Sequence, residues 1–569
     1  MKYINGIYNL SKRCLVRVFT LLLIFTSCSE NFLDETPLDF LTPENAYSGP
    51  ADVEQAIVGL HSTVRVLYAR NNNHTCIMTA LGTDLAYFGE NPAGGTMSDY
   101  ASQLTATSIS PEVWRDAYQI IQRANVLIVG INKTEDAVWE SEAQKNAALA
   151  EAKFFRAFGY RTLVTLYGNV PLVTEAFNYI KTDFVRAPKA EVYALIEEDL
   201  AFAAANLPEP GSEAAPGRIT QGAAAHLLSE IYLAQGKFQS AVDASSDVIN
   251  NYGYTLMKTR FGTKLGNDVF GTGDVYYDLF RMNNHNLTEN IEAIWVIQVE
   301  PVVIGGYDYA SERMYGPAYY RMGNTPDGKK AFLGEYVSGK YTGYSDTLGR
   351  PVAWVRPTSY VLYKIWQSDW NNDIRNAEHN IKRNFYFDNP ASAYHGQKVD
   401  FSLYEAGTRN DINDTCQYIF PYFMKIATPL DHYTDPARSG GGTTHKDLYA
   451  IRLAETYLIR AEAYLGLNNT EAAAADINEI RNRAQATPVT PAEVDIDYIL
   501  DERARELYTE EWRMLTLCRL GLLVERVRIY NDNPLSPGAN IQDNNNLWPI
   551  PQDQIDLNID AEITQNPGY

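Results

Sequence analysis

Cysteine and positive charge are both scarce. Of five cysteines in 569 residues, Cys14 falls within a leader segment and Cys28 at its end. Cys76, Cys416 and Cys518 cannot all pair and show no CxxC or metal-ligand spacing, so free buried thiols are expected. Lys and Arg number 48 against 70 Asp and Glu, a formal charge of −22. The positive footprint that nucleic acid or an anionic lipid surface requires is therefore missing. Histidine is scattered without HExxH, no GxSxG occurs, and the glycine run at 440–442 lacks the Lys-Ser/Thr of a phosphate loop. Asp411-Ile412-Asn413-Asp414 offers oxygen ligands without the spacing of a calcium loop. No cofactor, no metal and no catalytic residue is expected. Glu197-Glu198-Asp199 and Glu510-Glu511 fall in helical stretches and read as solvated faces, not as the two carboxylates held across a cleft that glycoside hydrolysis needs. The apolar run at 18–25 is too short to cross a bilayer. A hydrophobic content of 45% speaks against both disorder and a polytopic membrane protein.

What is present is helical period. In 451–484 the residues Leu453, Ala454, Tyr457, Leu458, Ala461, Tyr464 and Leu465 form one apolar stripe. Asn468-Asn469 breaks it, Thr470 stands as the expected N-cap, and a second helix follows, with Ala461 and Ala473 small enough for the backbones to approach. The same grammar recurs at 223–250, with Gly236 at the turn, and matches the spacing of a tetratricopeptide repeat. Further helices are predicted at 51–70, 111–133, 144–166 (closed by Gly168 and Pro171) and 188–206. Another is predicted at 498–520, where Glu502, Arg503, Arg505, Glu506 and Arg513 pair across turns. The stretch 74–97 reads as loop. Between 252 and 445 helical period fades, with short strands predicted at 292–299 and 383–388; long irregular segments of this kind usually carry function. The expected fold is mostly α, a tetratricopeptide-repeat scaffold with a long loop-rich, minor-β insertion. Its expected parts are a leader (1–27), a strap (28–50), a helical half (51–251), a loop-rich ligand-binding region (252–445) and a second helical half closing in a strap (446–569).

Residues 1–27 read as a secretory signal, with Lys12, Arg13 and Arg17 before the apolar core. Thr26-Ser27-Cys28 resembles the bacterial lipobox, although Phe25 departs from the usual Leu, and a lipidated Cys28 would tether the body to a membrane. Ser29 after it fits the outer membrane, and Glu30, Asp34 and Glu35 resemble a surface-export signal. Together with Tyr167-Gly168-Asn169-Val170-Pro171-Leu172, Arg452-Leu453-Ala454-Glu455, Ile477-Asn478-x-Ile480-Arg481-x-Arg483-Ala484, Glu502-Arg503-x-x-Glu506-Leu507, Pro549-Ile550-Pro551 and Gln565-Asn566-Pro567-Gly568-Tyr569, the chain resembles the SusD/RagB family along nearly its whole length. The resemblance implies a non-enzymatic Bacteroidetes outer-membrane lipoprotein facing the cell exterior. It would bind oligosaccharides and deliver them to a SusC-like TonB-dependent transporter. Some members handle peptides, so the ligand stays open, as do a surface glycoside hydrolase and a purely structural scaffold.

Sugar rings present flat C–H faces and a rim of hydroxyls, which call for aromatic plates flanked by Asn, Asp or Arg. Expected ligand contacts are Tyr87, Glu90, Asn91 and Tyr100 in the first long loop. A second set is the cluster Tyr307, Asp308, Tyr309, Arg313, Tyr315, Tyr319 and Tyr320. Each aromatic, taken alone, better suits filling a loop's small core, whereas the second cluster is denser than a core strip needs. Trp354, Trp366 and Trp370 follow; the last two, at i and i+4, suit helix packing, and Asp373 and Arg375 resemble the family's Asp-x-Arg turn.

Overall fold

The computed structural model describes residues 47–569 except 70–72, 178, 301–302, 304–305, 307–310, 406–408, 410 and 433–444. The leader, Cys28 and the rest of the strap to 46, Tyr307, Asp308, Tyr309 and the 440–442 glycines lie outside the described residues.

Eight helices form a stacked series: α1 (Pro50–Ala69), α2 (Ser110–Lys133), α3 (Glu142–Tyr167), α4 (Lys189–Asn206), α5 (Gln221–Ala234), α6 (Phe238–Asn251), α7 (Leu453–Gly466) and α8 (Thr470–Arg483). Each packs on the next, so α7 follows α6 in space although some two hundred residues of chain intervene. The seam between the two hairpins is a buried cluster of Leu233, Ala241, Val242, Ile459 and Ala463. At Gly466 a Cβ would meet the Phe238 ring at 2.5 Å, which explains a residue without a side chain at that crossing. The two hairpin turns use the same backbone with different residues: Gly236 has φ 69° and Asn468 φ 58°, Asn being the side chain that tolerates this region best. The N-cap of α8 is Asn469, whose side chain accepts from the Ala472 amide at 3.1 Å, one residue before the expected Thr470.

The loop-rich region attaches through a short ladder. Four strands matter here: β1 (Ala86–Phe88), β2 (Ala293–Ile297), β3 (Val355–Pro357) and β4 (Leu448–Arg452). β2 and β4 pair antiparallel and bring the two ends of the region together, delivering Trp295 edge-on to Phe154 and Phe158 of α3, at centroid distances of 5.5 and 5.8 Å. The C-terminal strap closes against the end of α3, where Asn566 donates to the Tyr167 and Trp548 carbonyls at 3.0 and 2.7 Å.

Several expectations differ. The 74–97 stretch contains a helix, Asn73–Thr79, whose residues 74–79 are buried on every side and so show no polar face and no period. The 383–388 stretch is not a strand; Tyr386 makes a single bridge with Lys398. The 498–520 helix is two, α9 (Ile496–Leu507) and α10 (Arg513–Leu520), divided where Thr509 takes φ 72°. At that break the charges turn inward. Glu510 and Glu511 are not solvated but point inward, Glu510 onto Arg452 at 2.6 Å and Lys425 at 2.5 Å, Glu511 onto Arg503 at 2.7 Å. Asp199, similarly, is buried between Arg156 and Lys153, while Glu198 is solvated and Glu197 stays at the surface paired with Lys237.

These inward charges form a lattice. Arg452 bridges Glu292 (2.7 Å) and Glu506 (2.6 Å); Arg483 joins the same two carboxylates; Arg375 holds Asp373 (2.7 Å), Glu502 (2.8 Å) and Glu506 (2.9 Å). Arg481 extends it from Glu502 (2.9 Å) to Asp369 (2.6 Å). Burial alone would push the Glu506 carboxyl up, but Arg483, Arg452 and Arg375 more than offset it and hold the group well below its usual range. Glu502 is lowered for the same reasons, by Arg375, Arg505 and Arg481.

Replacing Glu506 with Gln leaves Arg452 and Arg483 without their shared carboxylate. The expected cost is about 3–5 kcal/mol of unfolding free energy in urea at pH 7. Both carboxyls have folded pKa values below their unfolded ones. Their contribution is therefore present above about pH 4.3 and lost as pH falls toward the folded values. The same titration at pH 3.5 should show the wild type markedly less stable; equal stability at both pH values would contradict the assignment.

Candidate functional site

The first loop and the stretch after Trp354, far apart in sequence, meet on one short ladder. β1 pairs antiparallel with β3 in the register Tyr87↔Arg356 and Phe88↔Val355. Alternation along the strand sends Tyr87 inward and leaves Phe88 half-buried, beside Trp354, with ring centroids 6.1 Å apart and planes 24° from parallel. Gly89 is required here, because a Cβ would sit 2.6 Å from the Cys416 carbonyl oxygen and 2.7 Å from that of Ala353. Glu90 follows at the surface and ties the parts together: Oε2 accepts from Trp354 Nε1 and Oε1 from Arg321 Nη1, each at 3.0 Å. Burial lowers the Arg321 pKa, but Glu90 and Tyr320 more than offset it, and the net shift is upward. Arg321 and Arg350 both lie over the half-buried Tyr320 ring at 5.9 Å. Asn91 is exposed, its Oδ1 accepting from the Gly94 amide at 3.1 Å.

The ladder is bolted to the helical frame just before it begins. Asp84 is fully buried and receives Arg513 (2.7 Å) and Arg526 (2.9 Å), while Thr358 donates to the Asp84 carbonyl at 2.7 Å. The result is a rigid aromatic surface with a carboxylate, two guanidinium groups and an amide at its edge. That is the equipment for planar hydroxyl recognition beside a C–H face. Among the described residues no group of three or more His, Cys, Asp or Glu is arranged to hold a metal ion.

Of the expected contacts, Asn91 and Tyr320 reach this surface, with Glu90 and Trp354. Four tyrosines do not. Tyr100 is sealed in the core and donates to the Gly82 carbonyl at 2.7 Å; Tyr315 is sealed against Thr79. Tyr319 donates to the Gly349 carbonyl at 2.9 Å and accepts from the Ser345 amide at 2.7 Å. Tyr87 lies beneath the ladder, where burial pushes its phenol pKa up despite Arg356. Irregular chain has no regular neighbour to pack on, and these rings supply its core. Arg313 is half-buried on the turn Ser311–Tyr315, its carbonyl accepting from the Val352 amide at 2.7 Å. Trp366 is buried and donates to the Val361 carbonyl at 2.9 Å, but Trp370 is off that turn and exposed, so the two do not share a helix face. Phe88, Arg321 and Arg350 escaped the sequence reading. Arg321 directly follows the tyrosine pair at 319–320, and that adjacency was the one available signal.

A family model described as the SusD family matches residues 238–569, and one described as starch-binding, associating with the outer membrane, matches residues 31–233. The chain is 27% identical to SusD-like protein P25 of Formosa agariphila, over 98% of this chain and 99% of that protein. It is 25% identical to a SusD-like protein of Bacteroides ovatus, over 89% and 83%. Among solved structures, a laminarin binding SusD-like protein aligns with TM-score 0.65 at 25% identity, covering 92% of this chain and all (100%) of that one. Surface glycan-binding protein A from Bacteroides fluxus shares the fold, with TM-score 0.62 at 20% identity and coverage of 92% and 100%.

Tyr319→Phe separates a core role from a surface one. Losing the hydroxyl orphans the Ser345 amide and the Gly349 carbonyl, and unfolding in urea should register about 1–3 kcal/mol less stability. An unchanged midpoint would return Tyr319 to the list of surface contacts.

Proposed function

We propose, from the premise that this chain belongs to the SusD family, that it captures oligosaccharides at the outer membrane on the Phe88–Trp354 platform. The single observation that carries this reading is Glu90. By accepting from Trp354 and Arg321 together it fixes an indole plate and a guanidinium side by side before any ligand arrives. A preformed plate avoids the ordering cost that a flexible loop would incur on binding. Glu90 is engaged on both oxygens, which favours holding sugar over hydrolysing it. Tyr320 and Asn91 complete the contact surface, with Tyr307, Asp308, Tyr309 and Arg313 proposed to border it.

Lipidation at Cys28 tethers the protein at the cell exterior, and a SusC-like TonB-dependent transporter receives the captured chain. Support for the tether is the lipobox-like sequence; support for the transporter is the family. The names of the laminarin binding and surface glycan-binding relatives support the class of ligand.

Affinity electrophoresis of the purified protein through gels containing laminarin, starch, xylan or polygalacturonate tests the reading. A retained polysaccharide is expected, with Trp354→Ala weakening retention at least about tenfold, equal to some 1.4 kcal/mol. Retention unaffected by Trp354→Ala, exclusive capture of peptide in a parallel pull-down, or release of reducing ends would each overturn it.

A further inference from the structure

Away from the platform, the described residues border an open groove of about 760 Å³. That is within the roughly 300–1,000 Å³ of ordinary ligand sites. The two more enclosed hollows of the core, about 20 and 30 Å³, hold no more than water. The large groove has an aromatic floor. Tyr363 and Trp370, 42% and 41% exposed, lie with planes 15° from parallel and centroids 6.3 Å apart. Both rings leave much of their surface to solvent, side by side in one groove.

The floor is built, not incidental. Arg383 lies over both rings, its guanidinium carbon 4.6 Å from the Trp370 centroid and 5.5 Å from that of Tyr363. Asn376 ties the pieces together, accepting from Arg383 Nη2 at 2.5 Å and donating to the Trp370 carbonyl at 2.7 Å. Beneath them Asp369 and Asp373 belong to the buried charge lattice, through Arg481 and Arg375. The loop that carries Trp370 is thus fixed on both sides.

The groove's unspent bonding capacity defines its ligand. Its acids are already engaged: Asp373 by Arg375, and Glu378 by Lys382 and by the backbone and side chain of Asn384. Arg383 makes no ion pair among the described residues, and its Nε and Nη1 are buried without a hydrogen-bond acceptor; burial pushes its pKa down to about 10. The side-chain amides of Asn371, Asn372 and Gln485 line the rim, exposed to solvent. Flat apolar rings below and paired donors and acceptors around them match a pyranose, with a C–H face and a hydroxyl rim. A peptide would ask for an open strand edge or deep side-chain pockets, and an apolar ligand would cover the rim amides without satisfying them.

We infer that the Tyr363–Trp370 groove is a second oligosaccharide-binding site, separate from the Phe88–Trp354 platform. It takes the same ligand class and so rests on the reading given under Proposed function. The two sites share a wall: Phe420 borders the groove and also receives the Arg356 guanidinium of the ladder at 5.1 Å. Two sites on one rigid body give a long glycan avidity that neither provides alone.

Calorimetry with a hexasaccharide cut from the retained polysaccharide tests this on the wild type, Trp354→Ala, Trp370→Ala and the double variant, with melting curves confirming that each folds. Two ligands per chain are expected for the wild type, one for each single variant and none for the double. On the intact polymer, Trp370→Ala should weaken gel retention about tenfold. A single equivalent that persists in Trp370→Ala and vanishes in Trp354→Ala overturns the second site and leaves the platform standing. A wild type that ignores every glycan tried removes both. Should Trp370→Ala unfold, Tyr363→Ala serves as the variant, with the same outcomes.

Discussion

The fold depends on a lattice of charge sealed inside it. Arg375, Arg452, Arg483, Glu292, Glu502 and Glu506 have no solvent-exposed side-chain surface, yet each satisfies at least two partners. Such a lattice is a poor source of net stability, because desolvating each ion costs several kcal/mol before any attraction is counted. Its effect is selective. An arginine with three carboxylate contacts has few arrangements that satisfy all of them, and any other arrangement leaves a buried charge uncompensated. For chain with little regular secondary structure, where no ladder or helical register dictates position, that is a strong constraint. The lattice draws on Glu292 just before β2, the Asp373–Arg375 turn, Arg452 at the end of β4, the end of α8, and α9, and so fastens the loop-rich region to the helical stack.

From that fastening follows the geometry at the surface. The Trp370 loop is gripped at Asp369 and Asp373, and the Phe88–Trp354 ladder at Asp84 by Arg513 and Arg526. Both aromatic surfaces therefore stand on buried ion pairs, not on flexible stems. Helical hairpins supply the rigid back, buried arginines the joints, and irregular loops the exposed rings. Binding residues on loops held by a rigid frame is the usual division of labour.

Much of the helical stack was legible in sequence because helices such as α2 and α6 keep one polar face and the period shows, while α3, buried nearly all round from 150 to 167, was marked by its length and its Gly168–Pro171 stop. Even the unusual turn at Asn468 was readable, since few residues other than Gly and Asn adopt that conformation. Where every face is buried, as at Asn73–Thr79, the period vanishes and the helix with it. The 498–520 stretch misled for the opposite reason. Glu and Arg spaced by three and four residues look the same whether they pair along a solvated face or reach across a core, and only the break at Thr509 reveals the second arrangement. Tyrosine is equally ambiguous. Composition marked 307–320 as aromatic, but which ring is sealed in a loop core (Tyr319) and which keeps part of its surface in solvent (Tyr320) depends on backbone direction that no local pattern encodes. Trp354 and Glu90 were both visible as candidates; their hydrogen bond, across 264 residues, was not.

Hydrogen–deuterium exchange of the free protein and of the same protein saturated with its retained polysaccharide tests the central claim most directly. If buried ion pairs hold a preformed surface, amides in β2, at the end of α8 and along α9 will exchange slowly in both states. Protection on binding will then be confined to segments around 86–91, 320–322 and 353–356, and to the 370–384 groove. Rapid exchange of α9 in the free protein, relieved by ligand throughout the loop-rich region, would mean that the glycan orders the surface and that the lattice does not.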